Sequence, residues 1–583
     1  MRRALSTLSN QPFDVLVVGG GAAGAAVARE ACLRGYKTAL VERDDFGGGT
    51  SAHCFKVVHG GIRYLQHADI ARMRASCRER AILLRLAPHL VAPLPFVIPT
   101  FGRGKSSKWF LGTGMVLYDL LTRDCNTLVR DPARQVRATR FLGREETLAL
   151  FPQAAAAGLT GATVFEDGQM YNPPRLVLGF VAAAEALGAS VANYVEVERF
   201  LREGTRVVGA AVRDRLTDER FEIRARLVIN ASGPWAEGLL APSEGLRAAP
   251  GTYSRDACFV IARRPAARMA LAVQGRTRDS DALLARNARH MFLVPWRSFT
   301  LVGVWHSVVA REPDKVGMTP EELYAFIDEI NLCHPALQLD PSEVGITGFG
   351  LVPFGDAARQ REGTLSFGKQ SRLIDHARTD GIAGLISVIS VRYTVARKDA
   401  VAALDAASAQ LGARKSGAAS AEQPLPGGDI ADFAAFTDDL KRRWPSWLPL
   451  TGCESLAQNY GSRAHAVLAL AEREPALKRC LPGSHVSHAE VLYGLREEMA
   501  ERMADVVFRR TELGTAAHPG AAALDELQEL MRAERAWSAS RTAEERAAVE
   551  RHLQRYLAQQ PGRATRTAAP AASASMAGSC RVS

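Results

Sequence analysis

A glycine-rich turn near the start of the chain constrains the fold more than any other feature. Residues 13–18, FDVLVV, have the apolar content of a buried strand, and GGGAAGAAVAREACLRG after them indicates a turn that opens a helix. KTALVE at 37–42 predicts a second strand. The three segments form the start of a βαβ unit, so we expect an α/β fold with a doubly wound parallel sheet.

The turn has the spacing of a dinucleotide-binding site. Gly19, Gly21 and Gly24 fit GxGxxG. In this pattern the first glycine permits a tight turn, the second lets backbone approach a pyrophosphate, and the third permits close helix packing. Glu42 ends the next strand, 18 residues after Gly24, where an acceptor for ribose hydroxyls is expected. These features are compatible with either NAD or FAD.

Two features favour FAD over NAD. The glycine turn lies at the N-terminal end of the chain, whereas many NAD enzymes place it later. The segment ARLVINASGPWA (225–236) predicts a late buried strand that ends in small residues, among them Ala231 and Gly233. Small residues there let a second dinucleotide-binding surface pack closely, which predicts a two-dinucleotide-binding-type FAD domain.

Composition excludes several classes of protein. Lys+Arg 73 against Asp+Glu 62 gives a net charge of +11, spread over 583 residues, so we predict no nucleic-acid partner. The nine cysteines form no CxxC, which predicts free thiols in a reducing compartment and no bound metal. We see no secretory signal and no run of about 18 apolar residues. We therefore expect a cytoplasmic protein. The segment 107–121 (SKWFLGTGMVLYDLL) predicts either a buried helix or a contact with a membrane surface.

Changes in composition predict the domain organisation. Residues 404–430 are rich in Ala, Gly, Ser and Pro and predict a linker, whereas the residues after them are helix-rich. The small, polar and basic C-terminal residues predict disorder. The expected units are an FAD-binding domain over 12–403 interleaved with an antiparallel-sheet substrate domain (roughly 85–175 and 245–350), the linker, a helical domain over 431–557, and a tail over 558–583.

Two further stretches carry candidate site residues. In GTSAHCFKVVHGGIRYLQH (49–67), His59-Gly60-Gly61 would let backbone lie against a flat ring and Arg63 could face an anion, although an ordinary polar loop is the alternative. In VISVRYTVARKDA (388–400), Arg392 follows an apolar strand. A buried charge requires a partner. That partner is either a carboxylate or an anionic ligand.

Residues 14–67 resemble the FAD-dependent glycerol-3-phosphate dehydrogenase family, membrane-associated flavoenzymes that pass electrons to quinone. The matching motifs are GGGAAGA, TSxxxxK (Thr50, Ser51, Lys56) and above all HGGIRYLQH. The likeness covers roughly residues 12–515 and continues through NYVEV, NASGPWA and EVLYGLREEMAERMADVVFRRTELG. The last of these is similar to the family's helical cap domain.

The resemblance implies roles for individual residues. The implied catalytic residues are Arg63 and Arg392, with His59 and His306 as candidate bases. Tyr64, Lys369, Arg63 and Arg392 are the implied substrate-binding residues. The implied cofactor-binding residues are Gly19, Gly21, Gly24, Glu42, Thr50, Ser51, Lys56, His59, Gly60, Gly61, Val195, Ala231, Gly233 and Thr394.

The chain departs from the family pattern on the substrate side. Arg392 stands where the family has a lysine, and Val352 replaces a phosphate-binding arginine. Lys369 stands where the family has another arginine, and His306 replaces an acid. One charged hydrogen bond contributes about 1.5–3 kcal/mol. The loss of one such hydrogen bond at Val352 weakens the inference that the substrate is glycerol 3-phosphate.

Three hypotheses follow. The first is a dehydrogenase that oxidises glycerol 3-phosphate or a related secondary alcohol by hydride transfer to flavin N5 and passes electrons to quinone. The second is a divergent flavin oxidoreductase that acts on a non-phosphorylated alcohol or an amine. The third is a flavin-binding protein without turnover. The resemblance also implies peripheral contact with the inner face of the cytoplasmic membrane and a tendency to form homodimers.

Overall fold

The computed structural model describes most of the chain. The described residues are 1–102, 107–152, 158–241, 246, 252–264, 267–275, 290–309, 313–354, 371–415 and 417–558. Lys369 and residues 559–583 of the predicted tail lie outside these ranges.

Groups of strands that belong to two different sheets alternate along the chain. Their bounds are β1 Phe13–Val18, β2 Thr38–Val41, β3 Val57–Val58, β4 Val91–Phe101, β5 Arg140–Gly143, β6 Leu159–Met170, β7 Ser190–Ala192, β8 Val195–Glu203, β9 Arg206–Asp214, β10 Arg220–Asn230, β11 Thr252–Ile261, β12 Ala270–Gln274, β13 His290–Trp296, β14 Phe299–Val309, β15 Val344–Phe354, β16 Arg372–Asp375 and β17 Leu385–Ile389.

Helices fill the intervals and make up most of the C-terminal part. Their bounds are α1 Leu5–Asn10, α2 Ala22–Leu33, α3 Ile70–Leu86, α4 Lys108–Thr122, α5 Arg144–Leu150, α6 Pro173–Ala186, α7 Ala236–Leu240, α8 Pro320–Cys333, α9 His376–Thr379, α10 Ala396–Leu411, α11 Ala419–Glu422, α12 Phe433–Arg442, α13 Leu450–Tyr460, α14 Ala464–Arg473, α15 His488–Glu497, α16 Met503–Asp505, α17 Ala521–Arg535 and α18 Ala539–Tyr556.

The first sheet is the parallel sheet that the glycine turn predicts. β1 lies between β2 and β10, with β7 beyond β2 and β17 beyond β10, and all five strands are parallel. β16 adds an antiparallel edge, and the antiparallel pair β8–β9 extends from β10. The helices α2, α6 and α10 pack together beside this sheet. Its central strands β1, β2 and β17 are mostly buried and mostly apolar, each with one polar residue (Asp14, Thr38 and Ser387).

The second sheet is mostly antiparallel, in the order β15-β11-β14-β13-β12-β4-β6-β3, with β5 pairing β6. Its strands come from two stretches of chain, β3–β6 and β11–β15, separated by strands of the first sheet. The chain therefore crosses between the sheets four times within the described residues. This observation confirms the expected fold class, an α/β flavin-type domain interleaved with an antiparallel sheet.

The C-terminal helices form a separate apolar core and meet the first sheet through buried ion pairs. Leu456, Leu524 and Val549 belong to that core. At the junction, Asp45 accepts from Arg510 Nη1 at 2.7 Å, and both side chains are buried. Arg175 pairs with Glu498 at 2.7 Å in the same region. The helical domain is thus held against the loop that follows β2.

The structure revises the start of the predicted linker. α10 continues to Leu411, so residues 404–411 are helical. Leu404 and Leu411 are buried in the core beside the first sheet, as is Leu425 further along. Composition alone indicated a linker because alanine and serine dominate the stretch. The apolar spacing of 404, 407 and 411 nevertheless gives the helix one buried face.

The predicted segment 107–121 forms α4, which is buried on one side only. Leu111, Met115 and Tyr118 are buried, whereas Trp109, Val116 and Leu120 are 86%, 54% and 61% exposed. One side of α4 is therefore packed against the protein, as the buried-helix prediction requires, and the other is exposed and apolar, as a contact with a membrane surface requires. None of the helices in the described ranges is both long and apolar enough to cross a membrane.

Candidate active site

A cavity of about 1700 Å³ lies between the two sheets, at the carboxyl ends of β1, β2 and β17. In open parallel sheets this edge is where ligands bind. The cavity brings together residues from distant parts of the sequence: Gly19, Glu42, Ser51, His59, His306 and Arg392.

Close backbone packing shapes the glycine turn at one end of the cavity. Gly19 has φ of +102°, and a Cβ there would lie 2.8 Å from the Ala231 carbonyl oxygen. A Cβ on Gly24 would lie 1.8 Å from the carbonyl oxygen of Gly19. Gly21 lines the cavity where α2 begins, and the Ala22 N–H donates to Ser51 Oγ at 3.0 Å. Glycine at 19 and 24 therefore lets β1, the turn and the start of α2 pack closely against one another and against Ala231.

Glu42 lies beside this turn and is held by backbone donors. Its carboxylate accepts from the Gly20 N–H at 2.6 Å and from the Asp44 N–H at 2.9 Å. Burial, with the nearby Asp44 charge, raises the pKa of Glu42 to about 7. The Val195 N–H donates to the Glu42 backbone carbonyl at 2.8 Å, and both residues line the cavity.

The loop from Gly49 to Ser51 connects the two sheets. Thr50 Oγ1 donates to the Leu351 carbonyl of β15 at 3.4 Å, and a Cβ on Gly350 would meet Thr50 at 2.8 Å. Gly233, with φ of +59°, lines the cavity beside this loop. The loop beside the glycine turn is therefore in direct contact with β15 of the second sheet.

The His59-Gly60-Gly61 segment is fixed by contacts from two sides. The His59 N–H donates to Thr394 Oγ1 at 3.1 Å, and the Gly60 N–H donates to Asp167 Oδ1 at 2.6 Å. A Cβ on Gly60 would lie 2.2 Å from the Tyr118 hydroxyl, and Gly61 has φ of +79°. Asp167 is an anchor that sequence analysis missed, because its contact spans 107 residues.

Arg392 follows β17 by three residues and is the charge for which sequence analysis required a partner. Its Nη1 donates to Ser76 Oγ at 3.0 Å, and its Cζ lies 5.0 Å from the centre of the Tyr64 ring. Burial lowers the pKa of Arg392 from its usual value. By contrast, Arg397 one turn later pairs with the Glu79 carboxylate, with Nε 2.9 Å from Oε2. Arg392 and Tyr64 both face the cavity.

The opposite wall is one face of the second sheet. His306 on β14 lies opposite Asp256 on β11, and its Nδ1 is 2.7 Å from Asp256 Oδ1. Ser254 Oγ donates to the same oxygen at 2.7 Å. Val352 on β15 lies opposite Ser254 and lines the cavity. Sequence analysis did not single out Asp256 or Ser254, although Ser-x-Asp on an alternating strand places both side chains on one face.

Three charged residues of the predicted site are not among the described residues that line this cavity. Lys56 lines a second cavity of about 100 Å³, where its Nζ lies 4.5 Å from the Trp296 ring centre. Arg63 belongs to the 3-10 helix Ile62–His67, and the structure does not describe its side chain. Lys369 lies outside the described residues.

Comparison with known proteins agrees with the architecture. Residues 14–379 match the FAD dependent oxidoreductase family, and residues 418–542 match the C-terminal domain of alpha-glycerophosphate oxidase. Glycerol-3-phosphate dehydrogenase of Synechocystis sp. is 30% identical over 88% of this chain and 90% of its own length. The mitochondrial glycerol-3-phosphate dehydrogenase of Mus musculus is 31% identical over 94% and 74%.

A solved structure shares the fold. The glycerol-3-phosphate dehydrogenase from Bacillus halodurans, complexed with FAD, superposes with a TM-score of 0.73 at 24% identity, covering 95% of this chain and 97% of that one.

The fold and the glycine-lined cavity define an FAD-dependent oxidoreductase. The residues present fit a dinucleotide: Gly19 and Gly21 line the cavity at the start of α2, and glycine at 19 and 24 permits the tight turn behind it. The chain belongs to the FAD-dependent glycerol-3-phosphate dehydrogenase family, as a divergent member at about 30% identity. The predicted family, fold class and cofactor are thereby confirmed.

Proposed function

We propose that this protein oxidises the secondary alcohol of glycerol 3-phosphate, or of a closely related compound, and passes the electrons to a quinone. The main support is the single cavity that joins the glycine turn and Glu42 to Arg392 and His306. Bound FAD supplies the hydride acceptor. The relatives named as glycerol-3-phosphate dehydrogenases support the choice of substrate.

The proposed roles follow from position in the cavity. Gly19, Gly21 and Ser51 would hold the pyrophosphate at the start of α2, and Glu42 would accept from the ribose hydroxyls. The segment 59–61 and Thr394 would form the wall beside the flavin ring. Arg392 would hold a substrate anion and favour negative charge at the ring. The resemblance adds Arg63 and Lys369 to the anion site.

An anaerobic titration tests the function. The purified holoprotein is mixed with glycerol 3-phosphate while the flavin absorbance is followed, and glycerol at the same concentration serves as the matched control without phosphate. Rapid bleaching by glycerol 3-phosphate alone would support the proposal. Flavin that dithionite reduces but neither alcohol reduces would contradict it.

A second candidate substrate class has one observation in its favour. Val352 faces the cavity where the family pattern has a phosphate-binding arginine, and Asp256 lies on the same face. This face therefore lacks a cation among its described residues and carries an acid, which favours a non-phosphorylated alcohol. Bleaching by glycerol or another polyol in preference to glycerol 3-phosphate would select this candidate.

We also propose that the protein contacts the inner face of the cytoplasmic membrane through α4. The exposed side chains of Trp109, Val116 and Leu120 recur at helical spacing on one side of this helix. A membrane contact would bring the cavity near a membrane quinone. Trp109→Ser combined with Leu120→Ser should reduce sedimentation with anionic vesicles, whereas Leu450→Ser, at another exposed leucine, should not.

Homodimer formation stays a proposal from the family resemblance alone. Light scattering on the purified holoprotein at several concentrations measures it directly, and a single species at the monomer mass would contradict it.

A further inference from the structure

The substrate-side wall of the cavity contains a carboxylate–imidazole pair. His306 on β14 and Asp256 on β11 face each other from neighbouring strands. The pair sits one cross-strand row away from Val352 on β15. His306, Asp256 and Val352 all line the cavity.

The geometry of the pair defines its hydrogen bonds. An ionised carboxylate can only accept, so the 2.7 Å contact to Asp256 Oδ1 requires the proton of His306 on Nδ1. The Ser254 hydroxyl donates to the same oxygen at 2.7 Å and fixes the carboxylate on the strand. In this tautomer the other ring nitrogen, Nε2, carries a lone pair and can accept a proton.

His59 is the other candidate base, and its surroundings suit that role less well. The His59 side chain is 50% exposed, against 16% for His306. Its Nδ1 lies 3.9 Å from Asp167, and that carboxylate already accepts from the Gly60 N–H and pairs with Arg80. Asp167 therefore serves mainly to hold the 59–61 segment, whereas Asp256 is bonded to its histidine directly.

We propose that His306 accepts the hydroxyl proton of the alcohol during oxidation, with Asp256, fixed by Ser254, as its positioning residue. This inference rests on the proposed function. The step balances: the O–H bond breaks and its proton goes to His306 Nε2, the O–H electron pair forms the carbonyl, and the hydride lost from the carbinol carbon is what bound FAD would accept. Asp256 keeps its negative charge and stabilises the imidazolium.

The test compares three variants as holoproteins in anaerobic stopped flow. His306→Ala should slow flavin reduction at saturating alcohol by about 10²- to 10⁴-fold, the usual contribution of a general base. Exogenous imidazole should restore part of that rate, and the restored rate should level off as the imidazole concentration rises. Asp256→Asn should lower the limiting rate by about 10- to 150-fold, the equivalent of one charged hydrogen bond. Ser254→Ala should have the smallest effect.

A binding measurement separates catalysis from structure. Calorimetry with the ketone product should give dissociation constants within about twofold of wild type for Asp256→Asn, because one isosteric substitution leaves the wall intact. Flavin content and melting temperature identify variants that fail to fold, and His306→Gln then replaces His306→Ala. A purely structural role would instead raise the dissociation constant and leave the limiting rate unchanged.

The outcomes distinguish this inference from the proposed function. If the wild-type flavin is reduced and His306→Ala is reduced at the same rate, the pair is not the proton acceptor although the function stands. If no alcohol reduces the wild type, the function is wrong and the proton-acceptor role is wrong with it. A slow, imidazole-rescued His306→Ala supports both.

Discussion

The two walls of the cavity are built on different principles. The cofactor side is made of backbone: glycine positions, N–H donors and the start of α2 determine its shape. The substrate side is made of side chains that project from three antiparallel strands, β11, β14 and β15. A backbone site tolerates few residues at its key positions, whereas side chains on a sheet face can change one at a time without altering the fold.

This difference explains where the chain follows its family and where it departs. The glycine turn and Glu42 fit the dinucleotide pattern, and the Gly20 N–H donates to the Glu42 carboxylate at 2.6 Å. On the substrate face, the sequence resemblance predicts that Val352 replaces an arginine and that His306 replaces an acid. Divergence on one wall with constancy on the other is expected when the cofactor is kept and the substrate side has changed.

The largest effect is expected from breaking the backbone site. Gly24→Ala places a methyl group 1.8 Å from the Gly19 carbonyl oxygen, a contact that only a shift of the turn can relieve. We expect loss of bound FAD, measured as the ratio of flavin to protein absorbance after purification. Gly238→Ala is the control, because Gly238 lines the cavity and a Cβ there meets nothing within 4 Å. Equal flavin content in both variants would contradict the cradle argument.

The next effect concerns the support behind the cofactor wall. Asp45 is buried with Arg509 and Arg510, which hold the pKa of its carboxyl well below the usual range. Asp45→Ala leaves two buried guanidinium groups without their shared partner and should cost about 3–5 kcal/mol in the free energy of unfolding. Denaturant titration measures this loss. Asp439→Ala, which removes an exposed pair with Arg442, should cost at most about 1 kcal/mol.

Sequence analysis singled out the glycine turn and Glu42 of the backbone wall, and it singled out His306 and Val352 of the side-chain wall but not Asp256 or Ser254. Gly19, Gly24 and Glu42 are visible because the turn, strand and helix that require them are adjacent in sequence. Asp256 and His306 are 50 residues apart and meet only through strand pairing. Asp45 meets Arg510 across 465 residues. Such contacts depend on register between distant strands or domains, which periodicity within one segment does not determine.

The chemistry of the cofactor wall can be tested through pH. Burial raises the pKa of Glu42 to about 7, so this carboxyl is increasingly protonated in the FAD-free protein as the pH falls below 7. Ribose hydroxyls that donate to the carboxylate favour its charged form. FAD binding should therefore weaken as the pH falls from 8 to 6. Glu42→Gln should bind FAD about 10- to 150-fold more weakly at pH 8, the range for one hydrogen bond to a charged group.

The same substitution should remove the pH dependence that Glu42 contributes, and fluorescence titration of the FAD-free protein measures both effects. Parallel curves for wild type and Glu42→Gln between pH 6 and 8 would show that another group controls binding.

The smallest effect, and the one that decides what the substrate wall recognises, is expected from Val352→Arg. The substitution places a cation where the sequence resemblance predicts a phosphate-binding arginine, in the row next to Asp256, whose negative charge would offset part of it. We expect about tenfold tighter half-saturation by glycerol 3-phosphate in flavin reduction, toward the lower end of a charged hydrogen bond. Val352→Met, long but uncharged, controls for bulk, and glycerol controls for the phosphate.

If the arginine variant gains nothing over the methionine variant, the phosphate does not reach this face and the wall has been rebuilt for an uncharged alcohol. A gain for glycerol 3-phosphate alone would mean that the phosphate docks on this face.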